Sequence, residues 1–291
     1  EQSWSIPGIR TELQAVRNYP HGPLAAHALG YLVRADDFEG DEGESFDYRL
    51  RDYKGAAGLE AAFDASLRGV SGTKSILVNS DGYRVGETVT AEPVPGQNLI
   101  TTLDIDVQKA AEAALSAVSG EERGAVVVLD VRNGDVLAMA SAPSFDPGEW
   151  IDGISRSRWT NYYDVPKRTT LMNRAADGAF SPGSTFKLFV YLTALKEGML
   201  PERVFRDSAR CFAGYCPKNF GNRYMGAVSM VVALQNSLNT VAVGLLQELG
   251  FDKVIETAKS LGITREMGRF YPMALGAYEQ TVVDMTAAYA A

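Results

Sequence analysis

Two pairs of polar residues, each set in an apolar stretch, carry the chemistry that can be read from this sequence. Ser184 and Lys187 lie three apart in "SPGSTFKLFVYLTAL". Positions i and i+3 of a helix share a face, so the hydroxyl and the amine can meet. Phe186, Leu188, Phe189, Val190 and Leu192 make the segment apolar nearly all round, which predicts a buried helix. A buried lysine is costly when charged, and desolvation drives it toward the neutral amine. A neutral amine beside a serine hydroxyl is a general base beside a nucleophile. Pro182-Gly183 reads as a turn delivering Ser184 into the first helical turn, where free N–H groups and the helix dipole favour developing negative charge. The same spacing fits an ordinary core helix whose lysine reaches out to water.

The second pair is Ser237 and Asn239 in "ALQNSLNTVAVGLL". Both residue types prefer caps and turns, so their place inside an apolar helical pattern predicts a short loop between two helices. Leu234, Leu238, Val241 and Leu245 form the apolar face around it. The loop could be no more than a helix-to-helix turn, or it could expose both side chains toward one cleft. A further serine–x–x–lysine, "SGTK" at Ser71 to Lys74, lies between glycines in a loop with nothing to fix its lysine.

These pairs need elements to hold them. Around them, "TTLDIDVQKAAEAALSAV" predicts a helix capped by Asp104 or Asp106, with Val107, Ala110, Ala111, Ala114 and Leu115 on one face. Two apolar strands flank Asn133-Gly134, a hairpin signal, and the continuous run Ala125 to Leu129 suggests a central strand covered on both faces. Helical patterns follow from Thr185 to Gly198, Ser229 to Leu249 and Lys253 to Leu261. An isolated two-stranded sheet is marginally stable in water, so further strands are expected beyond "TVVDMTAAYAA". Upstream, "NYPHGPLAAHALGYL" and "DYKGAAGLEAAFDASLRG" predict two helical pieces around an acidic loop, the second with Leu59, Ala62, Phe63 and Leu67 on a face. Alternation on either side of Asp81-Gly82 predicts a hairpin, and Pro93, Pro95 and Gly96 mark a domain boundary.

The chain has 291 residues, 46% of them hydrophobic and 22% charged, enough for one large or two smaller globular domains. Net charge is −8, which argues against a dedicated nucleic-acid binder. There is no apolar run of transmembrane length and no signal peptide. His21 and His27 are too few and too isolated for a histidine-rich metal site. Cys211 and Cys216 in "CFAGYCPKNFG" suit a small disulfide loop or packed thiols, or half of a zinc site with ligands from elsewhere.

Taken together, "SPGSTFK" resembles the serine–x–x–lysine motif of the penicillin-binding proteins and "SLN" their serine–x–asparagine motif. "YPHGPLAAHALGYL" and "YKGAAGLEAAFDASLRGVSG" resemble the amino-terminal pedestal of the class B members, and the pedestal wording is most similar to the cell-elongation branch. "GAVVVLDVRNGDVLAMASAPSFDPGEW", "LMNRA" and "ALGAYEQTVVDMTAAYAA" resemble parts of their transpeptidase domain. The resemblance implies an α+β fold: an elongated pedestal over 1–98, then a transpeptidase domain over 99–291 with helices packed on an antiparallel sheet and an all-helical lobe. It implies D,D-transpeptidation of peptidoglycan stem peptides. Ser184 would be the acylated nucleophile, Lys187 its base, Ser237 a proton relay to the leaving amine, and Asn239 the residue that holds the substrate amide. β-Lactams would acylate the same serine, with no metal and no organic cofactor.

Implied partners are a membrane glycosyltransferase and elongation-complex proteins bound through the pedestal, and no nucleic acid. The implied location is the extracytoplasmic face of the bacterial cytoplasmic membrane, with an anchoring helix upstream of Glu1. Arg17, Tyr19 and His27 read as packing and hinge residues of the pedestal. The family's third motif, lysine–threonine or –serine–glycine on a core strand, does not follow Asn239, so the transpeptidase domain is expected to be incomplete here and poorly active alone. Two other readings keep the serine and change the job. A penicillin-recognising sensor or wall scaffold would need no turnover. A serine β-lactamase would need a deacylating base, for which Glu197, Glu202 and Asp207 are the acids on offer.

Overall fold

A computed structural model describes residues 15–34, 52–119, 123–151, 153–163 and 169–291. It is a mixed helix-and-sheet, α+β structure in two compact units, and the chain passes between them more than once. One unit comprises 1–101 with 144–171, the other 102–143 with 172–291.

The first segment carries α1 (Ala26–Leu29), β1 (Leu32–Arg34), β2 (Tyr53–Gly55), α2 (Gly58–Ala62), α3 (Asp64–Arg68), β3 (Thr73–Val78) and β4 (Arg84–Ala91). The acidic loop of the sequence reading lies almost wholly outside the described residues. The first predicted helical piece shrinks to four residues, because Pro20, Gly22 and Pro23 hold the preceding chain in turns and Ala25 is left-handed, φ 55°. The second piece breaks at Phe63, φ −115°. Its buried residue is Glu60, not the expected apolar face: Phe63 is exposed, while Glu60 accepts hydrogen bonds from Arg17 (3.0 Å) and from the Tyr19 hydroxyl (3.2 Å). The paired charge is what makes that burial tolerable. β3 and β4 pair antiparallel around Gly82, φ 81°, as predicted, although the two-stranded ribbon is exposed along nearly its whole length.

The second unit begins with α4 (Ile105–Ser119), whose first free amides at Asp106 and Val107 donate to the Asp104 carboxylate, 2.9 and 3.0 Å. Antiparallel β5 (Gly124–Leu129) and β6 (Val136–Ala142) follow, joined through Gly134, φ 81°. Ala111 and Leu115 of α4 pack on Ala138 and Ala140. Ala110 and Ala114 are exposed instead. Gln108 takes the buried place, its amide bonding both main-chain groups of Met139, 3.1 and 2.8 Å, as a strand would. Residues 125–129 are half-buried, since among the described residues β5 pairs on one edge only, with β6.

From Ser144 to Leu171 the chain rejoins the first unit. Phe145 and Trp150 form an aromatic cluster there with Ala26 and Tyr31, followed by α5 (Arg156–Tyr163). His27 packs edge-on against Phe145, 4.9 Å between ring centroids, and bonds the Thr170 carbonyl, 2.7 Å.

Back in the second unit come α6 (Lys187–Lys196), β7 (Val204–Asp207), β8 (Gly226–Ser229), α7 (Met230–Gln235), α8 (Asn239–Leu249), α9 (Phe251–Ser260) and α10 (Val282–Ala290). Helices α6 to α9 enclose the largest core, built on Phe189, Val190, Val241, Leu245, Leu246 and Val254, all fully buried. Cys211 and Cys216 form a disulfide across the Phe212–Tyr215 turn. Closing a loop this short is worth about 2 kcal/mol. The double serine variant C211S/C216S is therefore expected to lower the unfolding free energy by about that amount in a denaturant titration.

Candidate active site

Ser184 sits in a 3₁₀ turn, Gly183–Phe186, that runs directly into α6. The turn is gripped from the far end of the chain. Phe180 pairs with Gln280 through both main-chain groups, 3.0 and 2.8 Å, the Gly183 amide donates to the Gly276 carbonyl, 3.3 Å, and the Tyr289 hydroxyl donates to the Thr185 carbonyl, 2.6 Å. Gly276 is left-handed, φ 69°, and a Cβ on it would lie 2.2 Å from the Gly183 carbonyl oxygen. Strain and overlap act together there, so Gly276→Ala is expected to destabilise the protein by about 2 kcal/mol or more. A thermal melt measures this, and slower modification of Ser184 should accompany it.

Lys187 opens α6 and is 1% exposed. Burial pushes its amine down from the usual lysine range to about 8. Its Nζ donates to the Ser237 carbonyl (2.6 Å), the Ser237 hydroxyl (2.8 Å) and Asn239 Oδ1 (2.5 Å). The structure thus draws Lys187, Ser237 and Asn239 into one hydrogen-bonded cluster, with Ser184 at the surface one turn before the lysine. Among the described residues the amine makes no bond to Ser184; its three acceptors all lie on the Ser237–Asn239 turn. Catalytic hydrogen bonds are often long before substrate binds, and both serines are exposed above the buried amine.

The turn between α7 and α8 is the short inter-helix loop expected from Ser237 and Asn239. Ser237 is left-handed, φ 52°, and its amide and that of Leu238 close α7 by donating to Leu234 and Ala233, 2.9 Å each. That conformation turns the Ser237 carbonyl and hydroxyl together toward Lys187.

Sequence reasoning missed the layer behind this turn. Asn219, 6% exposed, accepts from the Asn239 amide (2.8 Å) and the Thr240 amide (3.3 Å), and donates to Asp207 (2.8 Å). Asp207, 1% exposed, also accepts from the Met225 amide, 2.8 Å, and from the Thr240 hydroxyl. The Tyr191 hydroxyl is buried nearby, and burial together with the Asp207 charge raises it well above the usual phenol range. No spacing rule links positions 207, 219 and 239, which only the fold brings together. Of the other acids considered as deacylating bases, Glu197 is exposed and paired with Lys253, and Glu202 is exposed. Asp207 is engaged on both oxygens, facing the start of α8.

Known proteins resemble this chain over most of its length. Residues 124–274 match the penicillin-binding protein transpeptidase domain and residues 1–101 the penicillin-binding protein dimerisation domain. The peptidoglycan D,D-transpeptidase MrdA of Escherichia coli K12 is 28% identical over 272 residues, 89% of this chain and 41% of that protein. The D,D-transpeptidase PbpA of Mycolicibacterium smegmatis is 33% identical over 218 residues, 72% of this chain and 43% of that protein. The chain therefore spans less than half the length of these curated relatives. Among solved structures, Pseudomonas aeruginosa PBP2 in complex with WCK 5153 aligns with a TM-score of 0.76 at 26% identity, over 95% of this chain and 64% of that one. A chain from a peptidoglycan synthase complex aligns with a TM-score of 0.75 at 31% identity, over 94% of this chain and 54% of that one. Because the transpeptidase-domain match alone covers more than half of its residues, and the serine–lysine and serine–asparagine pairs stand inside that match, this chain belongs to the penicillin-binding protein family.

Proposed function

We propose that this chain supplies the acylating part of a peptidoglycan D,D-transpeptidase. The observation that carries the reading is the Lys187 amine, buried, pushed down to about 8, and hydrogen-bonded to Ser237 and Asn239 at the start of the helix that follows Ser184. An amine in that state is neutral in a fraction of the molecules near pH 7, and that fraction can accept a proton. Ser184 Oγ attacks the carbonyl carbon of the D-alanyl-D-alanine bond and its proton passes to Lys187 Nζ. Ser237, sharing a hydrogen bond with that nitrogen, hands its own proton to the departing D-alanine nitrogen as the C–N bond breaks and takes one from Lys187 Nζ in exchange, which leaves the lysine neutral again. The acyl group remains on Ser184 until the amine of a second stem peptide attacks the ester carbonyl; that amine gives up one proton to Lys187, and the lysine returns a proton to Ser184 Oγ as the ester C–O bond breaks. Asn239 holds the peptide side-chain amide of the bound substrate. A β-lactam takes the same first step, and its opened ring stays attached.

Residues 1–98 serve as the docking pedestal and 99–291 as the transpeptidase part. The matched dimerisation domain and the likeness to a chain of a synthase complex that coordinates polymerisation with crosslinking support a membrane glycosyltransferase and elongation-complex proteins as partners. The same relatives support action at the extracytoplasmic face of the membrane. Among the described residues no helix is long and apolar enough to cross a membrane.

A fluorescent penicillin tests the reading on the full-length protein. A stable label that survives denaturation and maps to the peptide holding Ser184 is expected. A label lost within minutes through turnover would instead mean a β-lactamase, and no label at all would mean a scaffold.

A further inference from the structure

We propose that Asn219, itself held by Asp207, is a positioning residue for the Ser237–Asn239 turn; this deepens the transpeptidase reading and rests on it. The first amides of any helix lack intrahelical acceptors, and a side chain at the N-cap normally supplies one. The N-cap of α8 is Leu238, which has nothing to offer. Asn219, some twenty residues earlier in the chain, fills the gap: its Oδ1 accepts from the Asn239 and Thr240 amides. Its Nδ2 donates to Asp207 Oδ1 and to the Arg223 carbonyl, 2.8 and 3.1 Å.

All four hydrogen-bonding positions of this amide are therefore occupied. Its orientation is dictated as well, because a flipped amide would set its NH₂ against two N–H donors and its oxygen against a carboxylate and a carbonyl. The Asp207 carboxylate lies at the same helix start, where the helix dipole favours a negative charge.

The preceding residue completes the grip. The Asn239 side-chain Nδ2 donates to the Lys218 carbonyl, 2.6 Å, which leaves Oδ1 to face Lys187 Nζ. The dipeptide Lys218-Asn219 thus fixes Asn239 by its main chain and by its side chain. The Cys211–Cys216 disulfide closes two residues upstream and limits where that dipeptide can go. Neither Lys218 nor Asn219 touches a reacting atom in this scheme; both act through the Asn239 side chain, which they aim at Lys187 Nζ.

A double-mutant cycle tests this. Second-order rate constants for labelling by a fluorescent penicillin are measured for wild type, Asn219→Ala, Asn239→Ala and the double variant of the full-length protein, with thermal midpoints alongside. Asn219→Ala is expected to slow labelling about 10- to 100-fold in the wild-type background and less than threefold when Asn239 is already alanine, since coupled residues are non-additive. Equal fold-losses in both backgrounds would overturn the proposal and leave only a structural role.

If Asn219→Ala does not fold, a polarity swap decides. Asn219→Asp sets two carboxylates against each other, and adding Asp207→Asn restores a donor–acceptor pair; the pair is expected to label at least threefold faster than Asn219→Asp alone, and no recovery would count against the proposal. Absence of label on the wild-type protein would sink the transpeptidase reading by itself. Hydrogen exchange would then judge the cap separately. At least tenfold faster exchange at the Asn239 and Thr240 amides in Asn219→Ala, with α9 unchanged, supports it, and unchanged exchange overturns it.

Discussion

Replacing Ser184 by alanine is expected to abolish covalent labelling by a penicillin, with no measurable acyl-enzyme at any inhibitor concentration, while the melting temperature stays within about 2 °C of wild type. The two halves of this expectation have separate causes. Ser184 is exposed in its turn, so removing the hydroxyl empties no cavity and strands no buried partner. The acyl bond, by contrast, forms on this oxygen. Ser237, the other hydroxyl of the cluster, lies in a left-handed turn with its Oγ bonded to the lysine, not at the head of a helix. Mass spectrometry of the intact protein after incubation with a β-lactam reads the adduct directly. An adduct of unchanged yield in the alanine variant would place the nucleophile elsewhere.

Substituting Lys187 by methionine should slow acylation by roughly 10²- to 10⁴-fold, the range spanned by removal of a general base. The pH profile provides the sharper test. With the amine at about 8, the wild-type acylation rate should climb as pH rises through that value and then level off, because only the neutral amine accepts the Ser184 proton. In Lys187→Met that climb disappears.

Stability follows the same titration. The unfolded lysine keeps its proton up to about 10.4, whereas the folded one loses it near 8. Between these values the unfolded state binds more protons, so stability rises with pH, by at most roughly 3 kcal/mol; below pH 8 both states are protonated and the contribution is flat. Methionine fills a similar volume without the desolvated charge, so the variant should melt no lower than wild type at pH 7 and should lack the rise above pH 8. An acylation profile in Lys187→Met that keeps the wild-type inflection would assign the base to another group.

Local signals in the sequence were strong wherever one residue could satisfy its own neighbourhood. Asp104 caps α4 because its carboxylate reaches amides two and three residues on. Gly82 and Gly134 turn their hairpins because both adopt the positive φ that those turns require. The apolar pattern around Lys187 announced a buried helix, and the clash of Ser237 and Asn239 with that pattern announced a break between two helices. The four candidate residues were legible by motif, and the fold joins three of them, Lys187, Ser237 and Asn239, in one hydrogen-bonded cluster.

What sequence did not reveal depends on distant partners. Glu60 is buried in place of Phe63 because Arg17 pairs with its charge and the Tyr19 hydroxyl donates to it, both from more than forty residues away. Gln108 enters a face expected to hold alanine because Met139 of β6 offers its main chain. Asn219 looks like any loop asparagine until the fold sets it beneath a helix that starts with leucine. The disulfide settles a choice that spacing alone left open.

The excursion of residues 144–171 into the first unit bears on how the protein is made. On the ribosome, Ala26, His27 and Tyr31 emerge long before Phe145 and Trp150, and the α4–β6 stretch of the other unit is synthesised in between. At ordinary elongation rates that gap lasts roughly 5–25 s. For that interval the nascent amino-terminal unit has no aromatic partner on which to close. A polypeptide released at Thr101 would carry those side chains uncovered.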